Sequence, residues 1–231
     1  MECSSPFAFP QNDFGRYSSE ANLLLSMGLT YLEAMPEEPS LFTPSNQEFA
    51  VNSTLYRGYY HPSPVYDLIV GNTKRGRLVR NPVTAQLSHC YYYDDQRRLL
   101  RVDSYYQGRI SHTEYLKREG QMVYGFTVDC SGRLAAVCRE TYDNGRIASL
   151  SLMHCVCTHG QYRCFEYLEE HYRYDSEGLC TSNFVVYRPG SVHVIYEIYE
   201  FQRENGRFVS YVNCMHPDKG YRVAKSKQRK A

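Results

Sequence analysis

Four glycines at regular intervals, Gly108, Gly120, Gly132 and Gly145, constrain this chain more than any other feature. They stand 12, 12 and 13 residues apart, each directly after Gln107, Glu119, Ser131 or Asn144. Similar pairs follow at His159-Gly160, Glu177-Gly178, Pro189-Gly190 and Asn205-Gly206. Glycine supplies the positive φ of a tight hairpin turn, and Asn-Gly is the strongest short signal for one. A parallel crossover needs a dozen or more connecting residues. Here that length must hold a strand as well, so successive strands are antiparallel. The expected fold is mainly β: an open, twisted up-and-down meander of β-hairpin repeats, eight to ten strands long and single-layered in its simplest form.

The segments between the turns alternate as strands do. In QMVYGFTVD, Met122, Tyr124, Phe126 and Val128 share one face and Gln121, Gly125, Thr127 and Asp129 the other. In QYRCFEYLEEHYRY, the same alternation puts Tyr162, Cys164, Leu168, Tyr172 and Tyr174 on one face. LAAVCRETY reads likewise.

The beginning of the chain differs. SSEANLLLSMGLTYLEAM spaces Ala21, Leu24, Leu25, Met27, Leu29 and Leu32 for one helix, with Ser18 or Ser19 as N-cap and Pro36 as its stop. Its apolar face needs a cover, most simply one face of the sheet. The expected division is therefore residues 1–60 as helix and linker, 61–216 as the β-meander, and 217–231 as a basic, disordered tail.

Gly-Arg followed by an apolar residue recurs at Gly76, Gly108, Gly132, Gly145 and Gly206. Random placement of 15 glycines and 20 arginines would give one or two Gly-Arg pairs of any kind. Tyr-Asp precedes several of these turns, in YDDQRRL, YDNGRI and YDSEGL, and VDCSGRL keeps the pattern without its tyrosine. From about residue 90 to 210 the chain resembles the YD repeat, Tyr-Asp-x-x-Gly-Arg-Leu, of Rhs and teneurin-type proteins. The resemblance implies arrays of antiparallel hairpins in which Tyr packs, Asp forms the turn and Gly takes the positive φ. It is degenerate, with Arg97 where glycine belongs, and it carries architecture rather than function.

Composition narrows the partners. A formal charge of +1 gives no reason to expect nucleic acid or an anionic membrane. No run approaches the roughly 18 apolar residues that span a bilayer, and the opening MECSSPFAFP lacks the plan of a signal peptide. Nine irregularly spaced cysteines then favour reduced thiols and a cytoplasmic protein.

The candidate sites are few. Cys155, Cys157, His159 and Cys164 are zinc-type ligands around one predicted hairpin, although Cys-x-Cys lacks the turn-borne knuckle spacing. Half-buried thiols in a strand are the simpler reading. Cys138 with His154 or His171 would make a nucleophile and base, without a supporting local signature. Glu166 and Glu170 share a face, but with Glu169, Glu197 and Glu200 they read as a solvated carboxylate face. No catalytic residue and no cofactor is assigned.

The leading expectation is a non-catalytic module that binds another protein through a face rich in Tyr and Arg (23 Tyr, 20 Arg, no Trp). An immunity- or antitoxin-like role fits within it, as does homodimerisation through sheet edges. A carbohydrate-binding protein and a metal- or thiol-dependent enzyme centred on Cys155–Cys164 are the alternatives.

Overall fold

The computed structural model describes residues 13–35, 46–51, 63, 77–81, 83, 86–176, 178–191, 193–204, 207–213 and 221–222. Helix α1 (Phe14–Ala34) begins at Asp13, whose carboxylate accepts from the Arg16 amide at 2.9 Å. The cap thus lies five or six residues before the serines expected to serve. Tyr17, Ala21, Leu24 and Gly28 form its buried stripe, at spacings of four, three and four. Extending the stripe back to Tyr17 requires the earlier start. Pro36 lies outside the described residues.

Among the described residues, thirteen strands follow in one antiparallel sheet: β1 (Asn46–Val51), β2 (Arg77–Val79), β3 (Leu87–Tyr93), β4 (Leu99–Tyr106), β5 (Arg109–Glu119), β6 (Met122–Asp129) and β7 (Leu134–Asp143), then β8 (Arg146–Thr158), β9 (Gln161–Asp175), β10 (Gly178–Tyr187), β11 (Ile195–Glu204), β12 (Arg207–Asn213) and β13 (Tyr221–Arg222). From β3 to β13 the order in space is the order in sequence, and β1 then β2 complete the far edge beyond β3. The meander is open, as expected, but longer than eight to ten strands. Strand pairing also crosses both expected divisions: β1 joins β3, and β13 joins β12.

The turns follow their residues. Gln107-Gly108, Asn144-Gly145 and His159-Gly160 have positive φ at both positions, the two-residue turn whose twist suits a hairpin. Asp94 and Asp129 build a longer turn of one design. Asp129 Oδ1 accepts from the amides of Ser131 and Arg133 at 2.8 and 2.9 Å, and Arg133 Nε reaches Oδ2 at 2.9 Å. Asp94 does the same with Gln96 and Arg98 at 2.9 and 2.8 Å, and Arg98 Nε lies 2.6 Å from Oδ2. Arg97 takes φ 61° where Gly132 takes 74°. The turn is set by its aspartate, so it survives without glycine.

Helix α1 crosses one face of the sheet from β10 to β5. Phe14 meets Tyr187, Tyr17 meets Tyr167, and Tyr31 stacks on Phe126 with ring centres 4.0 Å apart. Gly28 lets the helix settle on β7. A Cβ there would lie 2.5 Å from Val137 Cγ2 and 2.6 Å from Leu134 Cδ2. The core on this helix face includes Tyr17, Leu24, Phe126, Val137, Met153 and Tyr167.

The far face is buried as well. Cys138, Leu150, Leu168, Tyr172, Phe184 and Tyr199 cluster there, with Tyr91, Val102, Leu116 and Val123 in a second group. Two-sided burial corrects the solvated carboxylate face, since Glu169 and Glu170 are 3% and 0% exposed. A further correction comes from β9. Glu166 pairs with His154 and Cys164 with Cys155, which leaves Phe165 without an opposite residue. One extra residue exchanges the faces of everything beyond it. Tyr162 and Cys164 therefore pack toward α1, whereas Leu168, Tyr172 and Tyr174 pack on the far face.

Candidate interaction face

Strands β7, β9 and β11 each carry Glu-x-Tyr: Glu140-Thr141-Tyr142, Glu170-His171-Tyr172 and Glu197-Ile198-Tyr199. Residues i and i+2 of a strand share a face, so the hydroxyl can reach back to the carboxyl. All three do. Tyr142 donates to Glu140 at 2.6 Å, Tyr172 to Glu170 at 2.5 Å, and Tyr199 to Glu197.

Strand register then aligns them. Glu140 is opposite Leu150, Leu150 opposite Glu170, Glu170 opposite Phe184, and Phe184 opposite Glu197. The far face thus bears a line of carboxyl, leucine, carboxyl, phenylalanine, carboxyl. Successive carboxyls are two strand spacings apart, roughly 10 Å.

Burial sets their chemistry. Glu170 accepts from Ser63 Oγ at 2.8 Å as well as from Tyr172, but its Oε1 has no hydrogen-bond donor. Glu140 Oε1 and Ser182 Oγ are equally without partners, and Ser182 lies in register between Tyr172 and Tyr199. Loss of water pushes Glu170 up to about 7 despite its two donors. The same cause raises Glu140, against the pull of Tyr142 and the Arg118 charge. Toward β11 the face opens. Ile195 is 45% exposed, Glu197 is half-buried, and Arg188 pairs with Glu166 at 2.8 Å.

The helix face has a contrasting group. Glu169 Oε1 takes Arg16 Nη2 and His171 Nε2, the latter at 2.6 Å, and Oε2 accepts from Tyr167 at 2.9 Å. Burial acts to raise this carboxyl, but His171 and Arg16 outweigh it and hold it at about 2. Arg139 pairs with Glu20 at 2.8 Å, which ties the helix to β7. These contacts fasten α1 to the sheet and leave Glu169 an ion-pair anchor rather than a base.

The residues singled out in the sequence are separated. Cys155 and Cys164 are opposite each other on the helix face, Cys157 is opposite Tyr162, and His159 sits in the turn with φ 52°. Among the described residues, no three His, Cys, Asp or Glu side chains are placed to hold a metal ion. Burial pushes Cys155 up to about 12 and Cys164 to about 11. Cys138 is buried on the far face beside Glu114, 3.8 Å away, and burial raises it well above the usual thiol range. His171 is across the sheet from it, engaged with Glu169. His154 packs at a tilt against the Phe165 ring, with ring centres 5.7 Å apart. The Glu-x-Tyr repeat was visible in the sequence at constant spacing; its alignment required the register.

A cleft of about 310 Å³ opens between the end of α1 and strands β5 and β6. Met27, Tyr31, Tyr124 and Phe126 line it, with Ser26 and Thr30 on the helix and the Lys117–Glu119 pair on the strand. Among the described residues, no helix is long and apolar enough to cross a membrane. No protein-family model matches the chain, and no curated protein matches it significantly.

Proposed function

We propose that the chain is a non-catalytic protein-binding module whose far face, toward β11, receives a partner rich in basic groups. The observation that carries this reading is the register-aligned Glu-x-Tyr line. The line runs from buried Glu140 and Glu170 to Glu197, which is half-buried beside exposed Ile195, so a carboxylate and apolar area reach solvent together at the β11 end. Aromatic anchors and paired charges are the side chains that supply affinity at interfaces. An immunity- or antitoxin-like role, in keeping with the Rhs-type repeat, is the form we favour. Free thiols at the described cysteines suit a reducing, cytoplasmic setting. A thiol-dependent enzyme has less support, because the buried thiols are held protonated.

The test is capture of partners from the source cells by tagged protein. Ile195→Asp and Glu197→Lys are compared with Leu23→Gln, a change on the exposed side of α1. One stoichiometric protein, lost with the first two variants and kept with the third, is the expected result. Equal capture by all three would place the contact elsewhere.

The cleft favours a second reading, a carbohydrate-binding protein. Aromatic side chains beside hydroxyls and a charged pair are suited to a sugar ring. Retardation in polysaccharide gels that disappears with Tyr124→Ala would support it over the first.

A further inference from the structure

We propose that Cys155 and Cys164 form a reversible cross-strand disulfide under oxidising conditions. The two are register partners in β8 and β9 and pack into the same core beneath α1. Directly opposed residues of antiparallel strands have Cα atoms about 4.5–5.5 Å apart, within the 4.4–6.8 Å or so that a disulfide spans. Cys90, Cys130, Cys138 and Cys157 are not placed this way. Cys157 is opposite Tyr162 and diagonal to Cys164, at about 7–8 Å. Cys90 is opposite Phe49 and Asp103, and Cys138 opposite Gly125 and Leu152. Cys130 is exposed.

In the reduced protein, Cys155 Sγ donates to the Leu134 carbonyl at 3.3 Å. Cys164 is the more accessible of the pair, so it reacts first. With a low-molecular-weight disulfide as oxidant, the Cys164 thiolate attacks one sulfur and expels a thiolate. Cys155 loses its proton, attacks the mixed disulfide at Cys164 and expels the second thiolate. Two protein thiols are oxidised, the reagent is reduced to two thiols, and the protein's two protons pass through solvent to the released thiolates. Burial keeps both cysteines protonated at neutral pH, which makes the pair a slow staple rather than a fast sensor. The inference does not depend on the binding reading.

The experiment equilibrates the full chain in glutathione buffers of increasing oxidised-to-reduced ratio, quenches by alkylation and maps peptides by mass spectrometry. A Cys155–Cys164 cross-link that grows with the ratio and reverses on reduction is expected. Cys157→Ser should preserve it, and Cys155→Ser should leave glutathione trapped on Cys164. Free, alkylated Cys155 and Cys164 at ratios where Cys130 is already glutathionylated would overturn the proposal. So would a dominant cross-link through Cys157. The wild-type map decides the question even where a serine variant does not fold.

Discussion

Glu169 and Glu170 are neighbours in one strand, yet they face opposite sides of the sheet and are held at opposite ends of the carboxyl range, about 2 and about 7. Their contributions to stability therefore fall in different pH windows. Glu169 is depressed, so its stabilisation is complete above about pH 4.5 and is lost as pH falls toward 2. Glu170 is raised, so the folded state keeps a proton that the unfolded chain releases above about 4.5, and stability falls as pH rises toward 7. Each shift corresponds to about 3 kcal/mol. Urea unfolding from pH 2 to 8 should show Glu169→Gln flattening the acid limb alone and Glu170→Gln flattening the neutral limb alone. A single variant that flattens both would contradict the separation of faces.

Gly28→Ala should destabilise the protein, against the direction of helix propensity. Alanine gains up to about 1 kcal/mol in an exposed helix. Here its Cβ would press on Val137, which is fully buried and branched at the contact. A net loss of about 1–3 kcal/mol is expected, read as a lower midpoint of thermal unfolding. Gly28→Leu should lift α1 off β7 and lower the midpoint further.

Asp129→Ala and Asp94→Ala should lower the unfolding midpoint by similar amounts, because each aspartate holds two turn amides. Asp129→Asn keeps an accepting oxygen and gives up only an exposed, solvent-screened ion pair with Arg133, so it should cost less than Asp129→Ala. Denaturant midpoints for the three variants separate the turn from the charge. Equal losses in Asp129→Asn and Asp129→Ala would show that the ion pair dominates.

Tyr31 and Phe126 should be coupled. Their rings are nearly parallel, 5° between planes, and a double-mutant cycle with alanine should return about 0.5–1.5 kcal/mol beyond the separate losses. Additive losses would mean that the rings merely share a core.

The meander was legible because hairpin turns are local: Asn144-Gly145 or Gln107-Gly108 decides its turn from two residues. The helix was legible in its middle, where Ala21 and Leu24 recur at helical spacing, but not at its start. Asp13 caps it three residues ahead of Arg16, before the apolar period is established. What the sequence could not reveal was register. The bulge that skips Phe165 exchanges the faces of β9 beyond it, and no periodicity count across that point can detect it. Two-sided burial was hidden for a related reason. Tyrosine and glutamate read as half-solvated until Tyr172 and Glu170 are found bonded to each other inside. The Glu-x-Tyr line suffered most, since each pair is local and only four correctly registered strand pairs bring Glu140, Glu170 and Glu197 into line.

The position of α1 in the chain has a consequence for synthesis. On a ribosome the helix emerges before the strands, but Arg16 bonds to Glu169, 153 positions later, and Phe14 rests on Tyr187. The strands can pair neighbour by neighbour as they appear, whereas the apolar stripe of α1 stays uncovered until most of the sheet exists. During that interval Tyr17, Leu24 and the rest of the stripe are free to engage any passing hydrophobic surface, and the nascent chain is most exposed to chaperones before its last strands are made.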